Sequence, residues 1–271
     1  MENYTIEEML AVEVSRHIHN DEMSFVGVGT GGKAYIRAVG IPAVASRLAQ
    51  LSHAPDSMIM FGPIIDPVLD SDSIPETNNE YDLIHWPCRS QTTVYDSHVV
   101  FKAGRMGVGF VSGAQVDQYG NINIVCIGDY NKPKVRLPGS LAQPDHLAYA
   151  KRVFAIIKHD KRTLVEHVDY ISGCGNEHRE GLKGGGLALV FTELAVMDFN
   201  DSGKMRLKSM HPGVSLQNVI DNTGFALDIP EHVMTTEPPS EEQLKLIRER
   251  IDPKRKWLNA NITQEPTTLT N

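Results

Sequence analysis

Residues 112–134, SGAQVDQYGNINIVCIGDYNKPK, restrict the fold more than any other part of the chain. A turn of small residues comes first, a tight corner from Asp117 to Gly120-Asn121 follows, and a short run of β-forming residues comes next. We expect Asp117 to cap this corner by accepting hydrogen bonds from its own backbone, as Asp often does in turns. The order of these residues is far more specific than a count of glycines.

Strands alternate with helices along the chain, which predicts one three-layer α/β/α domain with a mixed, mostly parallel sheet. Thr5 and Glu8 form a capping box for a first helix, and Pro42 favours a second over residues 43–51. The pattern further predicts a helix at residues 240–251, a loop at 69–80, and strands at 23–28, 58–61, 106–111, 121–127, 152–157, 170–171, 188–191, 194–199 and 205–210. No linker divides the chain, so we expect the domain to cover residues 1–258, with a frayed tail over 259–271.

Composition narrows the possible partners. A net charge of −8 with scattered Lys and Arg residues disfavours a nucleic-acid partner, since phosphate backbones would repel the chain. The three cysteines are far apart and the eleven histidines lack ligand spacing, so neither a disulfide framework nor a metal site is expected. The sequence shows no signal peptide and no apolar run of membrane-spanning length. These features predict a cytoplasmic protein without a membrane partner.

Residues 27–34, GVGTGGKA, imitate two phosphate-binding motifs. Ala34 stands where a P-loop needs Ser or Thr for Mg²⁺, and no acidic residue ends the next strand to bind a ribose. We therefore expect a strand-to-loop turn that lets the backbone approach a ligand or a neighbouring subunit, and no nucleotide site.

The central segment resembles that of the β subunit of glutaconate CoA-transferase and its relatives, a family of class I CoA-transferases. The opening residues 4–21, the segment 46–60 and the closing segments 222–225 and 244–253 are also similar to this family. The resemblance implies the CoA-transferase fold, a coenzyme A thioester as the substrate, and no bound cofactor. It also implies a homologous α subunit as the partner, in an α2β2 assembly with the acyl-CoA site at the interface.

The family's nucleophile is missing from this chain. In the transferases, a β-subunit glutamate that follows the strand after Pro-Asp attacks the acyl-CoA thioester. Counting from Pro55-Asp56 places that position at Gly62, whereas counting back from Asp66 places it at Phe61. Neither residue can act as a nucleophile, and Asp66 and Asp70 would need the loop to fold back. We therefore expect no catalytic residue on this chain.

The resemblance also implies where acyl-CoA would bind. The expected contacts are Phe61, Gly62, Gly113, Ala114, Gln115, Gly139 and Ser140. The family's glycine-rich turn, whose backbone N–H groups hold the thioester oxyanion, continues here with the larger residues Leu141 and Gln143. Backbone donors survive any side chain, so an oxyanion hole is still expected. Cys174 is expected to be a packing residue, because cysteine is commonly buried.

Two branches of the family lack the glutamate. One is a steroid-ring-opening hydrolase whose catalytic carboxylate comes from the partner subunit, and the other is a decarboxylase with cysteine at that position. Residues 165–169 and 172–173 resemble the hydrolase more closely. We expect hydrolytic C–C cleavage of a carboxylated acyl-CoA, with a base from the partner subunit. Genuine CoA transfer is the alternative, decarboxylation is the third possibility, and a non-catalytic subunit that only shapes the site is the fourth.

Overall fold

The computed structural model describes residues 3–27, 32–69, 80–140, 142–177 and 179–259. The helices in chain order are α1 (Ile6–Ser15), α2 (Gly32–Tyr35), α3 (Ile41–Leu51), α4 (Glu80–Ile84), α5 (Val94–Lys102), α6 (Gln143–Tyr149), α7 (Leu216–Asn222) and α8 (Glu241–Leu246), with π-helical segments at Ile36–Gly40 and Ile247–Ile251. The strands are β1 (Met23–Val26), β2 (Met58–Phe61), β3 (Ile64–Pro67), β4 (Cys88–Gln91), β5 (Met106–Val111), β6 (Gln115–Asp117), β7 (Ile122–Asn123), β8 (Cys126–Ile127), β9 (Val135–Arg136), β10 (Arg152–Ile156), β11 (Leu164–Val165), β12 (Leu187–Phe191), β13 (Ala195–Phe199), β14 (Met205–Met210) and β15 (Met234–Thr235).

Ten of these strands form one mixed sheet in the order β15-β14-β13-β12-β10-β5-β1-β2-β3-β4. The central strands β12, β10, β5, β1 and β2 are all parallel, whereas β3, β4, β13 and β14 add antiparallel pairs on the two sides. The central strands are almost continuously apolar, as expected where both faces of a parallel sheet are covered. The predicted mixed, mostly parallel sheet is confirmed.

Apolar side chains cover both faces of this sheet. Leu10 of α1, Leu48 of α3 and Trp257 pack with Phe154 on one face. Phe101 of α5 and Leu147 of α6 pack with other strand residues on the opposite face. The three-layer α/β/α arrangement is therefore confirmed, and the extent of the domain over residues 1–258 stays a prediction.

Several predicted boundaries of helices and strands agree with the structure. The capping box is present, since Thr5 Oγ1 accepts from the Glu8 N–H and the Glu8 carboxylate accepts from the Thr5 N–H. Pro42 lies in the first turn of α3, as predicted. The hairpin of β13 and β14 is confirmed, with a turn at residues 200–204. Residues 70–79 of the predicted loop and 260–271 of the predicted tail lie outside the described residues.

Two predicted strands are wrong. The run 121–127 is divided because Asn123 Oδ1 accepts from the Val125 and Cys126 N–H groups, which bends the chain between β7 and β8. Residues 170–171 form no strand. The backbone bonds to β7 are made by the residues that follow, because the N–H groups of Ser172 and Gly173 both donate to the Ile122 carbonyl. Within residues 121–127, side-chain hydrogen bonds to the backbone therefore interrupt the single strand that the apolar pattern predicts.

The five parallel central strands end along one side of the sheet. Their last residues are Val26, Phe61, Val111, Ile156 and Phe191, and we call this side the carboxyl edge. Val26 lies opposite Phe61, and Val111 lies opposite Ala155, so the strand ends are nearly level. Open α/β sheets bind ligands in crevices at this edge.

Candidate functional site

Gly62 directly follows β2 at the carboxyl edge. Its backbone has φ 53°, in the left-handed region, and its N–H donates to the Val26 carbonyl of the neighbouring strand at 3.2 Å. Residues 28–31 lie outside the described residues. Gly62 is therefore the residue that leaves the strand, and it carries no side chain there.

Phe61, the other position suggested by the sequence, points into the protein. Its side chain is fully buried, and its ring meets Trp86 at 5.4 Å and Trp257 at 5.9 Å between centroids. Strand side chains alternate between faces, and this one belongs to the face covered by α1 and α3. The Phe61 side chain thus packs in the core, and its backbone alone reaches the carboxyl edge.

Asp66 is held away from the carboxyl edge. It lies on β3, which runs antiparallel to β2, so the chain returns toward the start of β2 before Asp66 is reached. Its Oδ1 accepts from the Ile59 N–H at 2.8 Å and from Gln50 Nε2 at 3.1 Å, and its Oδ2 lies 3.4 Å from Arg89 Nη1. Ile59 precedes Gly62 by three residues, which is about 10 Å along a strand. Asp70 lies outside the described residues.

The turn after β5 brings Gly113 and Ala114 to the same edge. A Cβ at Gly113 would come within 2.8 Å of Ile122 Cγ2, so the close approach of β7 requires glycine here. The Ala114 N–H donates to the Asn123 carbonyl at 3.0 Å. Gln143 of α6 fixes the turn from the other side, with Nε2 donating to the Ser112 carbonyl at 2.9 Å.

The side chain of Gln115 forms hydrogen bonds with other residues of this chain. Its Oε1 accepts from Asn123 Nδ2 at 2.7 Å and from the Asp169 N–H at 3.0 Å, and its Nε2 donates to Asp169 Oδ2 at 3.1 Å. Asp169 in turn accepts from the Gly128 N–H at 2.9 Å. Gln115 is buried and acts as a bridge between segments, so its contribution to a substrate pocket is indirect.

The turn that precedes α6 is open on one side. Gly139 has φ 109°, and apart from Gly139 itself and its two chain neighbours no heavy atom of the described residues lies within 4 Å of an added Cβ. The Gly139 N–H donates to the Ile124 carbonyl at 3.1 Å, whereas no acceptor within the described part of the chain binds the Ser140 N–H. Of the two, Ser140 therefore offers the backbone donor that an oxyanion could take. Leu141 lies outside the described residues.

Asp117 has the role that the sequence predicts, whereas Cys174 is only half-buried, so its packing role stays a prediction. Asp117 Oδ1 accepts from the N–H groups of Tyr119 and Asn121, which confirms the capped corner. Burial raises the pKa of Asp117, although these donors oppose the shift. Burial also raises the pKa of the Cys174 thiol, which disfavours the thiolate that a nucleophile needs.

Two buried histidines lie at the carboxyl edge, where His159 follows β10 and His211 follows β14. The ring nitrogens of His159 lie 2.8 Å from Thr192 Oγ1 and 3.1 Å from Thr223 Oγ1. His211 Nε2 lies 2.8 Å from the Thr192 carbonyl, so Nε2 donates. Burial lowers the pKa of both histidines. The sequence gives no signal for this network, because its members are far apart along the chain.

Within the described ranges, no three His, Cys, Asp or Glu side chains are grouped so that they could hold a metal ion. No helix in this part of the chain combines the length and the apolar character needed to cross a membrane.

Comparisons with known proteins agree with the geometry. A family model described as coenzyme A transferase matches residues 7–222. The B subunit of 3-oxoadipate CoA-transferase from Pseudomonas knackmussii is 36% identical over 92% of this chain and 94% of its own length. The B subunit of glutaconate CoA-transferase from Acidaminococcus fermentans is 33% identical, over 93% and 94%. The cholesterol ring-cleaving hydrolase IpdB subunit of Rhodococcus jostii is 30% identical, over 79% and 83%.

Solved structures show the same architecture. The crystal structure of glutaconate coenzyme A-transferase from Acidaminococcus fermentans aligns with a TM-score of 0.78 and 30% identity, over 95% of this chain and 98% of that one. The decarboxylase AibA/AibB aligns with a TM-score of 0.79 and 22% identity, over 93% and 97%, and supports the fold alone. These matches confirm the fold that the resemblance implies. The sequence relatives are B subunits, so their enzymes contain more than one kind of subunit.

Proposed function

Because this chain belongs to the coenzyme A transferase family, as a β subunit, we propose that its enzyme cleaves a carbon–carbon bond of a carboxylated acyl-CoA by hydrolysis. One observation carries the proposal: the residue that leaves β2 at the carboxyl edge is Gly62, which has no side chain. Covalent CoA transfer needs a carboxylate within bonding reach of the thioester. Asp66 does not supply it, since its carboxylate is bound to the Ile59 N–H and to Gln50, toward the start of β2 and away from the carboxyl edge.

The proposed substrate position lies along the carboxyl edge. Acyl-CoA would contact the backbone of Phe61, Gly62, Gly113, Ala114, Gln115, Gly139 and Ser140. The Ser140 N–H is the donor that would face the thioester oxygen. The thioester would be the substrate, and the enzyme would need no bound cofactor.

The reaction consumes one water molecule. A base removes a proton from water, and the hydroxide adds to a ketone carbon two bonds from the thioester carbonyl. The bond between that ketone carbon and the α carbon breaks, and its electron pair becomes the enolate of the thioester. The enolate takes a proton at the α carbon, while the ketone carbon leaves as a carboxylate. Donors at the thioester oxygen lower the barrier because negative charge develops there.

The partner in this proposal is a homologous α subunit, in an α2β2 assembly whose interface completes the site. The names of the relatives support a partner, since they are B subunits of larger enzymes. The three free cysteines favour a reducing, cytoplasmic compartment. We take residues 1–258 as the single domain that enters this assembly.

Genuine CoA transfer is the second candidate, and the 36% identity to a 3-oxoadipate CoA-transferase subunit favours it. One probe separates the two reactions. The complex of this chain with its α subunit is incubated with 3-oxoadipyl-CoA, a carboxylated β-keto thioester, and the products are identified by mass spectrometry. Hydrolysis yields acetyl-CoA and succinate without any acceptor. Transfer yields succinyl-CoA and 3-oxoadipate, and only when succinate is added. A strict requirement for succinate, with no acetyl-CoA formed, would refute the hydrolytic proposal.

The non-catalytic alternative has its own test. Gly139→Val places a branched side chain in the open turn beside Ser140, but it strains the backbone at φ 109°, so the unfolding midpoint of the complex is measured together with its turnover. If this chain only supports an active partner, turnover by the assembled complex should be unchanged. Loss of turnover in a complex that still assembles would reject that alternative.

A further inference from the structure

Positive charge is concentrated on one surface hairpin, formed by β8, β9 and the loop between them, which we call the basic hairpin. Lys132, Lys134 and Arg136 fall within a short stretch of it, although the whole chain has a net charge of −8. All three residues are exposed, and none lies within ion-pair distance of a carboxylate in the described ranges. Like charges held close together repel one another, so this arrangement favours an anion as a ligand.

Two carboxylates belong to the basic hairpin and its base, and both bind N–H groups. Asp129 Oδ1 accepts from two backbone N–H groups of its own loop, at 2.9 and 3.0 Å. Asp169 Oδ2 accepts from the Gly128 N–H at 2.9 Å and from Gln115 Nε2 at 3.1 Å. Neither carboxylate forms an ion pair with a lysine or arginine of the described residues, so the three cations of the hairpin are available to a ligand.

The basic hairpin holds Arg136 in a defined direction. The Lys134 N–H donates to the Ile127 carbonyl at 2.8 Å, which closes the loop. Arg136 Nη2 donates to the Tyr130 carbonyl at 2.9 Å, and the guanidinium carbon lies 5.0 Å from the centroid of the Tyr130 ring. Tyr130 in turn stacks on Tyr170, with 5.1 Å between the ring centroids. A cation that is ordered before binding loses less side-chain entropy when a ligand binds.

Both ends of the basic hairpin are attached to the proposed acyl-CoA position. Its first strand is joined to Gln115, because Asp169 binds both the Gly128 N–H and the Gln115 side chain. Its second strand leads to Ser140, which follows Arg136 after at most about 14 Å of extended chain. In coenzyme A, the pantetheine arm separates the thioester from the diphosphate. A site for the phosphates must therefore lie away from Ser140, as the hairpin does.

Tyr130 adds a second feature of nucleotide binding. This residue is 50% exposed, although it contacts both Tyr170 and Arg136. Nucleotide sites combine cationic side chains, which bind the phosphates, with aromatic rings or guanidinium planes on which a base stacks. An exposed tyrosine among three unpaired cations therefore favours a nucleotide over a simple inorganic anion.

We propose that Lys132, Lys134 and Arg136 bind the phosphate groups at the nucleotide end of the coenzyme A thioester, with the base beside Tyr130. Ammonium and guanidinium groups are strong donors to phosphate oxygens, and the diphosphate and the 3′-phosphate both offer such oxygens. This inference deepens the proposed function and rests on it, because it takes the thioester as the substrate. No covalent bond forms or breaks at this site.

The first test measures the binding of coenzyme A to the assembled complex by calorimetry. Lys132→Gln/Lys134→Gln removes two exposed charges and keeps most of each side chain, so the fold is retained. The double variant should raise the Kd of coenzyme A about tenfold. The difference should shrink as salt is raised from about 0.01 M to about 0.3 M, because salt screens exposed charges. Lys183→Gln, at an exposed lysine just before β12 and thus at the opposite edge of the sheet, should bind coenzyme A as the unchanged protein does.

The second test compares 3-oxoadipyl-CoA with the 3-oxoadipyl thioester of pantetheine, which lacks the nucleotide. The double variant should lower kcat/KM about tenfold for the first thioester and leave kcat/KM for the second unchanged. An equal loss with both thioesters would overturn the inference, and so would a Kd of coenzyme A within about twofold of that of the unchanged protein. Loss of assembly at an unchanged unfolding midpoint would also overturn it, since the hairpin would then be a subunit contact.

Failure of the proposed function has a different signature. The unchanged complex would still bind coenzyme A through the basic hairpin, and the double variant would still weaken that binding. The probe 3-oxoadipyl-CoA would then yield no acetyl-CoA and succinate in the absence of an acceptor.

Discussion

Gly62 is the residue on which the proposed hydrolytic chemistry depends. Its φ of 53° is one that glycine adopts freely, whereas another residue loses about 1–2 kcal/mol in the left-handed region. A glutamate at this point would project from the end of β2, where the family's covalent chemistry begins. The backbone can therefore accept the exchange at a modest cost in stability.

We expect Gly62→Glu to gain covalent chemistry. The assembled variant, incubated with 3-oxoadipyl-CoA and then borohydride, should show a reduced glutamyl adduct in the intact mass of this chain. Gly62→Gln has the same size and the same backbone strain but no nucleophile, so it should show none. The absence of a borohydride-dependent mass change in both variants would mean that Gly62 does not face the thioester.

Asp66 should be dispensable for turnover. Asp66→Asn keeps an oxygen for the Ile59 N–H and suits the positive φ of 47° at this residue, so activity and stability should both be close to those of the unchanged protein. Asp66→Ala leaves the Ile59 N–H without its acceptor and should lower the free energy of unfolding by about 1–3 kcal/mol. Urea unfolding and kcat measure the two effects. A large loss of kcat in Asp66→Asn at unchanged stability would identify Asp66 as a nucleophile.

At the scale of elements, the segment that follows the second π-helical segment packs against β2 and holds it in position. Trp257 stacks on Tyr35 and Trp86 and meets Phe61, the last residue of β2. Asp252 fixes the segment by accepting from the N–H groups of Lys256, Trp257 and Leu258. The closing residues of the chain thus set the position of Phe61 and hence of Gly62.

Trp257→Ala should therefore reduce stability and activity together. Removing a fully buried indole costs about 3–5 kcal/mol of unfolding free energy, and Phe61 would lose a neighbour. Trp257→Phe is the matched control, because the buried Nε1 has no hydrogen-bond partner in the described residues and only volume is lost. Chemical unfolding and kcat should rank the alanine variant well below the phenylalanine variant. Equal stability of the alanine and phenylalanine variants would show that the Trp257 side chain does not hold β2 in position.

Elements with strong local signals could be predicted from the sequence, whereas contacts between distant segments could not. The capping box of α1 follows from the spacing of Thr5 and Glu8, and the parallel strands follow from short runs of apolar residues. The strands β3 and β4 are only four residues long and are preceded by Pro63 and Pro87, so no periodic pattern marks them. That Gly62 follows β2 directly could be predicted, whereas the contact between His98 and Asp145 could not, since these residues are 47 positions apart and meet only because α5 and α6 pack together.

At the scale of the whole molecule, three buried histidines couple stability to pH. Burial lowers the pKa of His159 and His211, and lowers the pKa of His146 from 6.5 to about 3. Below pH 6.5 the unfolded chain binds protons at these sites more readily than the folded chain does, so acid favours unfolding. For His146, this loss of stability extends from about pH 6.5 down to about pH 3.

The free energy of unfolding should fall when the pH is lowered from 7.5 to 5.5. His146 should contribute on the order of 1 kcal/mol to this fall, because its pKa is lowered in the folded chain and the unfolded chain takes up the proton first. Urea unfolding at the two pH values measures the difference. His146→Gln should show a smaller difference by about the same amount, and identical pH dependence in both proteins would contradict the assignment.

The hydrolytic mechanism requires that no carboxylate of this chain captures the acyl group. The decisive experiment is borohydride reduction of the assembled complex during turnover of 3-oxoadipyl-CoA, followed by the intact mass and peptide map of this chain, with Gly62→Glu as the positive control. We expect an unmodified chain together with the formation of acetyl-CoA and succinate. A reduced carboxyl side chain on any Asp or Glu of this polypeptide would contradict the mechanism.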